Sequence, residues 1–332
     1  MPETTAAGAP QHIVDAAQAE EFRAVFADLA GNIEQAVLGK GHVVRLALTC
    51  LVSGGHLLLE DVPGTGKTML ARALAATLSS SHARVQFTPD LLPTDVTGVT
   101  VYDQHRGTFE FHPGPIFHHL VLADEINRAS PKTQSALLEV MEEGQVTVDG
   151  TTHGVPQPFM VIATQNPIEQ AGTYRLPEAQ LDRFLMKASL GYPDAASTEA
   201  LLLDSRVRDR AAALRPVADA ATITALRDVS DRVYVDRAIA GYIRRIAEAS
   251  REIPEVRLGL SARGALAYVR VAKTWAAAHG RTHVVPADIV DLAQPVLGHR
   301  LLLSAEASFN QVTPQRVIEE LMASVPPPES RA

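Results

Sequence analysis

Residues 56–70, HLLLEDVPGTGKTML, decide the fold of this 332-residue chain. The apolar run HLLLE predicts a short buried strand, and the residues from Met69 onward have the apolar spacing of a helix. Between them, two glycines followed by Lys67 and Thr68 match the end of the phosphate-loop pattern G-x-x-x-x-G-K-[ST]. Asp61 stands where that pattern has its first glycine. A strand, a glycine-rich turn and a helix in this order predict an α/β domain built around a phosphate site.

The chemistry of the loop depends on bare backbone and one fixed cation. Gly64 and Gly66 let consecutive N–H groups point at phosphate oxygens, and the helix that follows adds its positive end. Lys67 is predicted to reach the β- and γ-phosphates and Thr68 to ligate Mg²⁺. A chance Pro-Gly turn before a lysine is the alternative, and the matching flanks disfavour it. The residues predicted to contact ATP here are Pro63, Gly64, Thr65, Gly66, Lys67, Thr68 and Met69.

Composition limits the classes of protein to which the chain belongs. Hydrophobic residues make up 46% and charged residues 20%, as in globular proteins, and the length suffices for two domains. The net charge of −8, from 30 basic and 38 acidic residues, argues against a broad nucleic-acid-binding face, although a local basic patch remains open. Cys50 is the one cysteine, so no disulfide can form within one chain.

The sequence carries no recognisable targeting or membrane segment. Its first residues lack the basic start and apolar core of a signal peptide. No apolar run reaches the ~18 residues that a transmembrane helix needs. We therefore expect a cytoplasmic protein without membrane insertion.

The hydrophobic pattern changes along the chain, from mixed strands and helices to helices. Two stretches, at about 99–111 and 145–158, alternate as hairpins do. After about Pro193 the stretches read as helices, with no convincing strand. The predicted organisation is a mobile N-terminal segment, an α/β nucleotide-binding domain, a helical lid domain and a disordered Pro-rich tail, at residues 1–17, 18–193, 194–323 and 324–332.

Acidic and amide side chains follow two further apolar stretches. LVLADE ends in Asp124 and Glu125, and VIATQNP carries Asn166 near its end. Ligands bind beyond the carboxyl ends of strands in open parallel sheets. We expect Asp124 to hold Mg²⁺ through water, Glu125 to polarise the attacking water and Asn166 to orient it. A solvated loop is the alternative, and the nearby Lys67 and Thr68 argue against it.

Two arginines are weaker candidates for phosphate contacts. Arg183 precedes an apolar stretch in LPEAQLDRFLM, and Arg263 begins a predicted helix in LSARGALAY. A guanidinium offers paired donors for phosphate oxygens. A cation at a helix N-terminus is unfavourable for the helix dipole, so Arg263 hints at an anionic partner. Solvation at the surface is the alternative for both side chains.

Taken together, the motifs resemble those of the AAA+ ATPases of the MoxR family, over nearly the whole chain from about Glu21 to Leu303. This resemblance implies a sheet of order 5-1-4-3-2, two β-hairpin inserts and a small helical lid. It also implies an arginine-dependent site between subunits of a ring, expected to be a hexamer. The stretches that carry it are LEDVPGTGKT, FTPDLLPTDVTG, FHPGPIF, LADEINRASPKTQSALLEVMEE, ATQNPIEQAGTYRLPEAQLDRFLM and LGLSARGALAYVRVAKTWA.

Carried over by position, the resemblance assigns roles to further residues. Asn166 is similar to sensor 1, Arg183 to the arginine finger and Arg263 to sensor 2. Whether Arg263 serves its own or a neighbour's nucleotide stays open, as does the role of Arg128 next to the acidic pair. The segment implied to meet adenine is Val37, Leu38 and Gly39.

Three functions fit this sequence. The first is an ATP-driven remodelling enzyme, since relatives are thought to act as chaperones on client proteins, often ones with von Willebrand factor A domains. The second is an ATP-gated scaffold with slow hydrolysis. The third is a chelatase-type motor subunit. Glu125, Asn166 and Arg183, which a pure switch does not need, favour the enzyme.

Overall fold

The computed structural model describes residues 13–62, 64–166, 174–203 and 209–328. Pro63 of the phosphate loop, most of the predicted mobile N-terminal segment and the end of the Pro-rich tail lie outside the described residues. The α-helices are α1 Ala16–Glu34, α2 Gly41–Val52, α3 Lys67–Thr77, α4 Pro93–Thr97, α5 Pro131–Glu143, α6 Glu178–Leu181, α7 Ala195–Leu203, α8 Ala220–Asp231, α9 Arg237–Ala249, α10 Ala262–Ala278, α11 Pro286–Asp291, α12 Ala293–Leu297, α13 Ala305–Phe309 and α14 Pro314–Ser324. The strands are β1 Leu57–Glu60, β2 His82–Gln86, β3 Gly98–Asp103, β4 Thr108–Pro113, β5 Leu120–Asp124, β6 Gln145–Val148, β7 Thr151–Gly154, β8 Met160–Gln165, β9 Met186–Ala188, β10 Val256–Leu258 and β11 Leu302–Leu303.

The central feature is a parallel sheet of five strands in the spatial order β2-β5-β8-β1-β9. Counted along the chain as the first to fifth strands of this sheet, the order is 5-1-4-3-2, which confirms the predicted fold class. Alternate residues of β5 belong to two different hydrophobic clusters. Leu120 and Leu122 belong to one cluster, and Val121 and Ala123 belong to the other. Side chains of a strand point alternately to opposite faces, so helices cover both faces of the sheet.

Two antiparallel hairpins extend from this core, where the sequence predicts them. β3 and β4 join through a turn at Gly107, and β6 and β7 through Asp149 and Gly150, which both have positive φ. Positive φ at both central residues is typical of a type I′ hairpin turn. The Phe111 ring of the first hairpin stacks on the His153 ring of the second, with centroids 4.1 Å apart, so the two hairpins contact each other.

The apolar spacing of residues 19–39 predicts a helix that ends at Gly39, and helix α1 differs from this prediction at both ends. It begins at Ala16, earlier than predicted, because Asp15 forms a capping box with Gln18. It ends at Glu34, not at Gly39. The apolar spacing continues to Val37, which is buried although it lies outside the helix, and this explains the overestimate.

The region after β9 is mainly helical, as predicted, and packs on the α/β domain. Its α10 lies against α1 and α2, so buried residues of both regions share one hydrophobic cluster. The structure adds one antiparallel pair, β10 with β11, which the sequence pattern does not predict. Strands of three and two residues are too short for alternation to stand out. Among the described residues, no helix is both long and apolar enough to cross a bilayer.

A buried arginine joins the lid to the core. Arg300, whose side chain is 3% exposed, donates from Nε to Asp182 Oδ1 at 2.7 Å. Its other nitrogens donate to the backbone carbonyls of Phe184, Leu185 and Val296. Three of these four acceptors belong to the stretch around Arg183, so the lid holds that stretch in place.

We expect Arg300→Ala to lower the free energy of unfolding by about 3–5 kcal/mol, because it leaves Asp182 and the buried carbonyls without their donor. Urea denaturation followed by circular dichroism measures the change. Arg316→Ala is the matched control: Arg316 pairs with Glu320 at 2.8 Å on an exposed helix face, where such pairs contribute about 0.3–0.5 kcal/mol. Equal losses in the two variants would contradict the structural role of Arg300.

Candidate active site

The phosphate loop leads from β1 directly into α3. Gly64 and Gly66 have φ of +85° and +98°, and Gly66 is the N-cap of the helix that begins at Lys67. A Cβ at either glycine would meet no atom within 4 Å, so it is the backbone conformation and not crowding that requires glycine there. The described loop therefore offers backbone N–H groups and a helix N-terminus to an anion, as the sequence predicts.

Lys67 turns back onto its own loop. Its Nζ donates to the backbone oxygens of Asp61 at 3.1 Å and Val62 at 2.9 Å. These carbonyls hold the ammonium group within the pocket. A bound phosphate would compete with them for the same cation, and a charge-assisted bond to phosphate is the stronger of the two.

A pocket of about 440 Å³ opens beside the loop. It brings together the loop, the acidic pair and Asn166, which leave the sheet at the ends of three neighbouring strands. Among the described residues, Met69 and the segment from Val37 to Gly39 do not line it. The residues that line it are Asp61, Gly64, Thr65, Gly66, Lys67, Thr68, Arg84, Gln86, Asp124, Glu125, Thr164, Gln165 and Asn166.

Asp124 is held in place by two neighbouring strands. Its Oδ1 accepts from Thr164 Oγ1 on β8 and its Oδ2 from Arg84 Nη2 on β2, both at 2.6 Å. The Arg84 guanidinium supplies a positive charge where Mg²⁺ would supply one. Sequence reasoning missed both partners. The signal was present, because the implied strand order puts β2 and β8 on either side of the strand that ends in Asp124.

Glu125 has a left-handed backbone, with φ 56° and ψ 51°. This conformation is uncommon outside glycine and costs on the order of 1–3 kcal/mol, and such residues cluster at functional sites. Its backbone N–H donates to Thr164 Oγ1 at 2.8 Å. Its carboxylate accepts from Arg128 at 2.7 Å and from Gln86 at 3.2 Å. The structure thus pairs Arg128 with the acidic residue of its own subunit.

The donors of this pocket fit a magnesium nucleotide. Carboxylate and hydroxyl oxygens, from Asp124 and Thr68, suit Mg²⁺. The left-handed glycines, the helix N-terminus and Lys67 suit phosphates. Chemically, the pocket offers an anion cradle, a cation site and a carboxylate that can take up a proton.

The predicted adenine segment lies elsewhere. Gly39 has φ +69°, and a Cβ there would lie 2.3 Å from Ser197 Oγ. The next residue, Lys40, donates from Nζ to the backbone oxygen of Tyr192 at 2.6 Å. Gly39 therefore lies close to Ser197 of α7, and Lys40 contacts the chain between β9 and α7, which contains the predicted domain boundary at Pro193.

Arg183 and Arg263 meet at one carboxylate. Arg183 Nε lies 3.0 Å from Glu142 Oε2, and Arg263 Nη1 lies 2.9 Å from Glu142 Oε1. Neither arginine is among the described residues that line the pocket. The structure therefore brings the two predicted arginines together but not with the phosphate loop of their own subunit. Glu142, at the end of α5, is a partner that sequence reasoning missed.

Comparison with known proteins agrees with this geometry. Residues 56–186 match the ATPase family associated with various cellular activities (AAA), and residues 248–321 match the AAA lid domain. The chain is 45% identical over 313 residues to protein YeaC of Bacillus subtilis, which covers 94% of this chain and 98% of YeaC. It is 37% identical over 320 residues to Chaperone MoxR1 of Mycobacterium tuberculosis, covering 93% of this chain and 83% of that protein. The crystal structure of a candidate ATPase from Cytophaga hutchinsonii has a TM-score of 0.88 at 36% identity, covering 94% of this chain and 98% of that one.

We expect Lys67→Ala to weaken binding of ATP·Mg²⁺ by at least about tenfold to a hundredfold, because bonds to charged groups contribute about 1.5–3 kcal/mol. Isothermal titration calorimetry measures the affinity. Lys132→Ala removes the same charge from the exposed start of α5 and should leave the affinity unchanged. Unchanged affinity in Lys67→Ala would mean that the loop is not a phosphate site.

Proposed function

The chain belongs to the MoxR family of AAA+ ATPases, and we propose that it hydrolyses ATP to remodel or activate partner proteins in a chaperone-like role. The observation that carries this proposal is the single pocket that joins Lys67, Thr68, Asp124 and Glu125. In this proposal Lys67 binds phosphates, Thr68 and Asp124 hold the cation, and Glu125 takes a proton. Phosphoryl transfer to water requires these functions.

The charged residues of the pocket that match the predicted motifs, together with Thr68 and Asn166, each have a role in this proposal. Lys67 would leave the loop carbonyls for the β- and γ-phosphates. Thr68 and Asp124 would hold Mg²⁺, which would neutralise charge on the transferring phosphoryl group. Glu125 accepts the proton of the attacking water. Asn166, in the same pocket, orients that water. A cation at Asp124 would repel the Arg84 guanidinium, which donates to the same carboxylate.

Glu125 suggests how hydrolysis is restrained. Arg128 at 2.7 Å and Gln86 at 3.2 Å both donate to Oε2 of its carboxylate, so these two neighbours fix the direction in which the carboxylate points. This observation also favours the second candidate, an ATP-gated scaffold whose isolated subunit hydrolyses slowly. We propose that assembly of subunits changes this arrangement and starts turnover.

The second part of the proposal is that Arg183 and Arg263 complete the site of a neighbouring subunit. Both arginines form ion pairs with the Glu142 carboxylate, and each pairs with a different oxygen of it. Two guanidinium groups arranged around one anion suit the oxygens of one phosphoryl group. Because neither lines the pocket of its own subunit, a head-to-tail contact that closes into a ring would bring them to the next nucleotide. We propose a hexamer.

The partner is the least specified part of the proposal. One relative is named a chaperone, and the family resemblance points to client proteins or to a partner with a von Willebrand factor A domain. The three catalytic candidates Glu125, Asn166 and Arg183 support an enzyme over a passive scaffold, because a scaffold that only binds ATP does not need them.

We expect Glu125→Gln to bind ATP normally and to lose most turnover, because the amide keeps the shape but cannot take the proton. General-base contributions amount to about 10²–10⁴-fold. Phosphate release measures turnover and calorimetry measures binding. Glu139→Gln, on the exposed part of α5, makes the same change outside the pocket and should be active. Turnover at the wild-type rate in Glu125→Gln would favour the scaffold.

A mixing experiment tests the site between subunits. Arg183→Ala and Lys67→Ala should each be nearly inactive, because arginine fingers contribute roughly 10³–10⁵-fold in rate. When mixed in equal amounts, they should regain hydrolysis, since about one quarter of the interfaces of a random ring combine an intact loop with an intact finger. The same should hold for Arg263→Ala mixed with Lys67→Ala.

Subunit exchange is verified in these mixtures with fluorescently labelled protein. If subunits exchange and no activity returns, the arginines do not serve a neighbour. Wild-type activity per subunit should also rise with protein concentration as rings assemble.

A further inference from the structure

Asp61, the residue that replaces the first glycine of the loop pattern, makes contacts that a glycine lacks. The residue is 5% exposed. Its Oδ1 accepts from Ser189 Oγ at 2.8 Å and from the Gly191 backbone N–H at 3.0 Å, and its Oδ2 accepts from the Leu190 backbone N–H at 2.6 Å. A buried carboxylate is tolerated when donors satisfy it in this way. Its side chain therefore faces the chain that leaves β9, on the way to the lid.

This part of the chain, residues 189–197, is here called the connector. It runs from the end of β9 into α7 and contains the predicted boundary between the α/β domain and the lid. Lys40, the residue after the predicted adenine segment, holds it at a second point by donating to the Tyr192 carbonyl. The connector is thus held both from the phosphate loop and from the chain next to the predicted adenine segment.

Asp61 also contacts the phosphate loop through its backbone. Its carbonyl oxygen accepts from Lys67 Nζ at 3.1 Å. The side chain and the carbonyl of Asp61 are joined through one Cα, so a movement of the backbone at this residue displaces both. When a phosphate draws Lys67 away, the carbonyl loses a charged donor while the carboxylate keeps its hold on the connector.

We propose that Asp61 is a positioning residue that transmits occupancy of the phosphate loop to the connector and from there to the lid. The inference rests on the proposed nucleotide site and adds its coupling to the second domain. Its chemistry is specific: a carboxylate without protons can accept from three donors, whereas an asparagine offers one oxygen and turns an N–H₂ group towards a donor.

The alternative is that Asp61 is a purely structural link between the phosphate loop and the connector, and this alternative makes different predictions. A purely structural link stabilises the fold equally with and without nucleotide, so its loss lowers the unfolding temperature and changes nothing else. Coupling predicts that the response of the lid to ATP disappears while ATP still binds. The difference between the two nucleotide states is therefore the decisive measurement.

The experiment compares Asp61→Ala with its parent, both in a Glu125→Gln background that does not turn over. Amide hydrogen exchange is followed by mass spectrometry in the connector and in lid helices α8 to α10, with and without ATP·Mg²⁺. We expect the parent to change its exchange in both regions on binding ATP. In Asp61→Ala, the Leu190 and Gly191 amides should exchange faster in both states, and the ATP-dependent change in the lid should be lost.

Affinity and rate separate coupling from damage to the loop. ATP affinity of Asp61→Ala should stay within about threefold of the parent, because Lys67, Thr68 and the loop glycines are intact. With Glu125 restored, kcat should fall by roughly tenfold to a hundredfold, as misplacement far from the chemistry can cost about 10²-fold. Asp219→Ala is the matched control. Asp219 also accepts from a backbone N–H and a hydroxyl, both of Thr222, and its loss should leave the ATP response unchanged.

The outcomes distinguish this inference from the proposed function. If the parent does not bind ATP, both fail. If the parent responds to ATP and Asp61→Ala responds equally, or if Asp61→Ala loses ATP binding altogether, only the inference is overturned. Should Asp61→Ala fold poorly, Ser189→Ala removes one of the three hydrogen bonds from the connector side, and a reduced lid response with unchanged affinity is expected. An undiminished response in Ser189→Ala then overturns the inference.

Discussion

The parallel pairing of β1 with β8, and of β8 with β5, determines where the charged groups of the pocket lie. Leu59 pairs with Thr164, and Ala123 with Ala163, so the three strands end at one edge of the sheet. The phosphate loop, the acidic pair and Asn166 each begin where one of these strands ends. The hydrogen bonds between the strand backbones therefore place the groups of the site next to one another. A shift of one residue in β5 would turn Asp124 towards the opposite face.

Much of this architecture could be predicted from the sequence, because it depends on local patterns. The core strands, the hairpins and the glycine loop each have a signal within a few residues. The partners of the charged site residues have no such local signal, because Arg84 and Glu142 meet theirs only across strands or domains. In the sequence, Asp61 is only a departure from the phosphate-loop pattern, because the Ser189 hydroxyl that its carboxylate accepts from lies more than a hundred positions away. Strands β10 and β11 are too short to give a pattern.

The charged groups of the proposed reaction are satisfied inside one subunit. Asp124 has Arg84, Glu125 has Arg128, and the two arginines of the proposed interface share Glu142. In each of these pairs at least one side chain is more than a quarter exposed, and exposed ion pairs contribute only about 0–1 kcal/mol. In the proposed reaction, nucleotide, metal and a neighbouring subunit would therefore replace these charge partners at small cost. Without ligands, these charged side chains are therefore paired with one another and are not isolated.

The contact between the hairpins has a consequence for how this protein tolerates change. An isolated two-stranded hairpin is marginally stable in water. The first hairpin exposes aromatic residues such as Phe109 near its turn, and near its base Phe111 stacks on His153 of the second. Each insert therefore provides part of the other's support, although they leave the chain at separate points. Insertions and deletions accumulate independently in ordinary surface loops, but here the two inserts are expected to change in length and sequence together, as a single inherited unit.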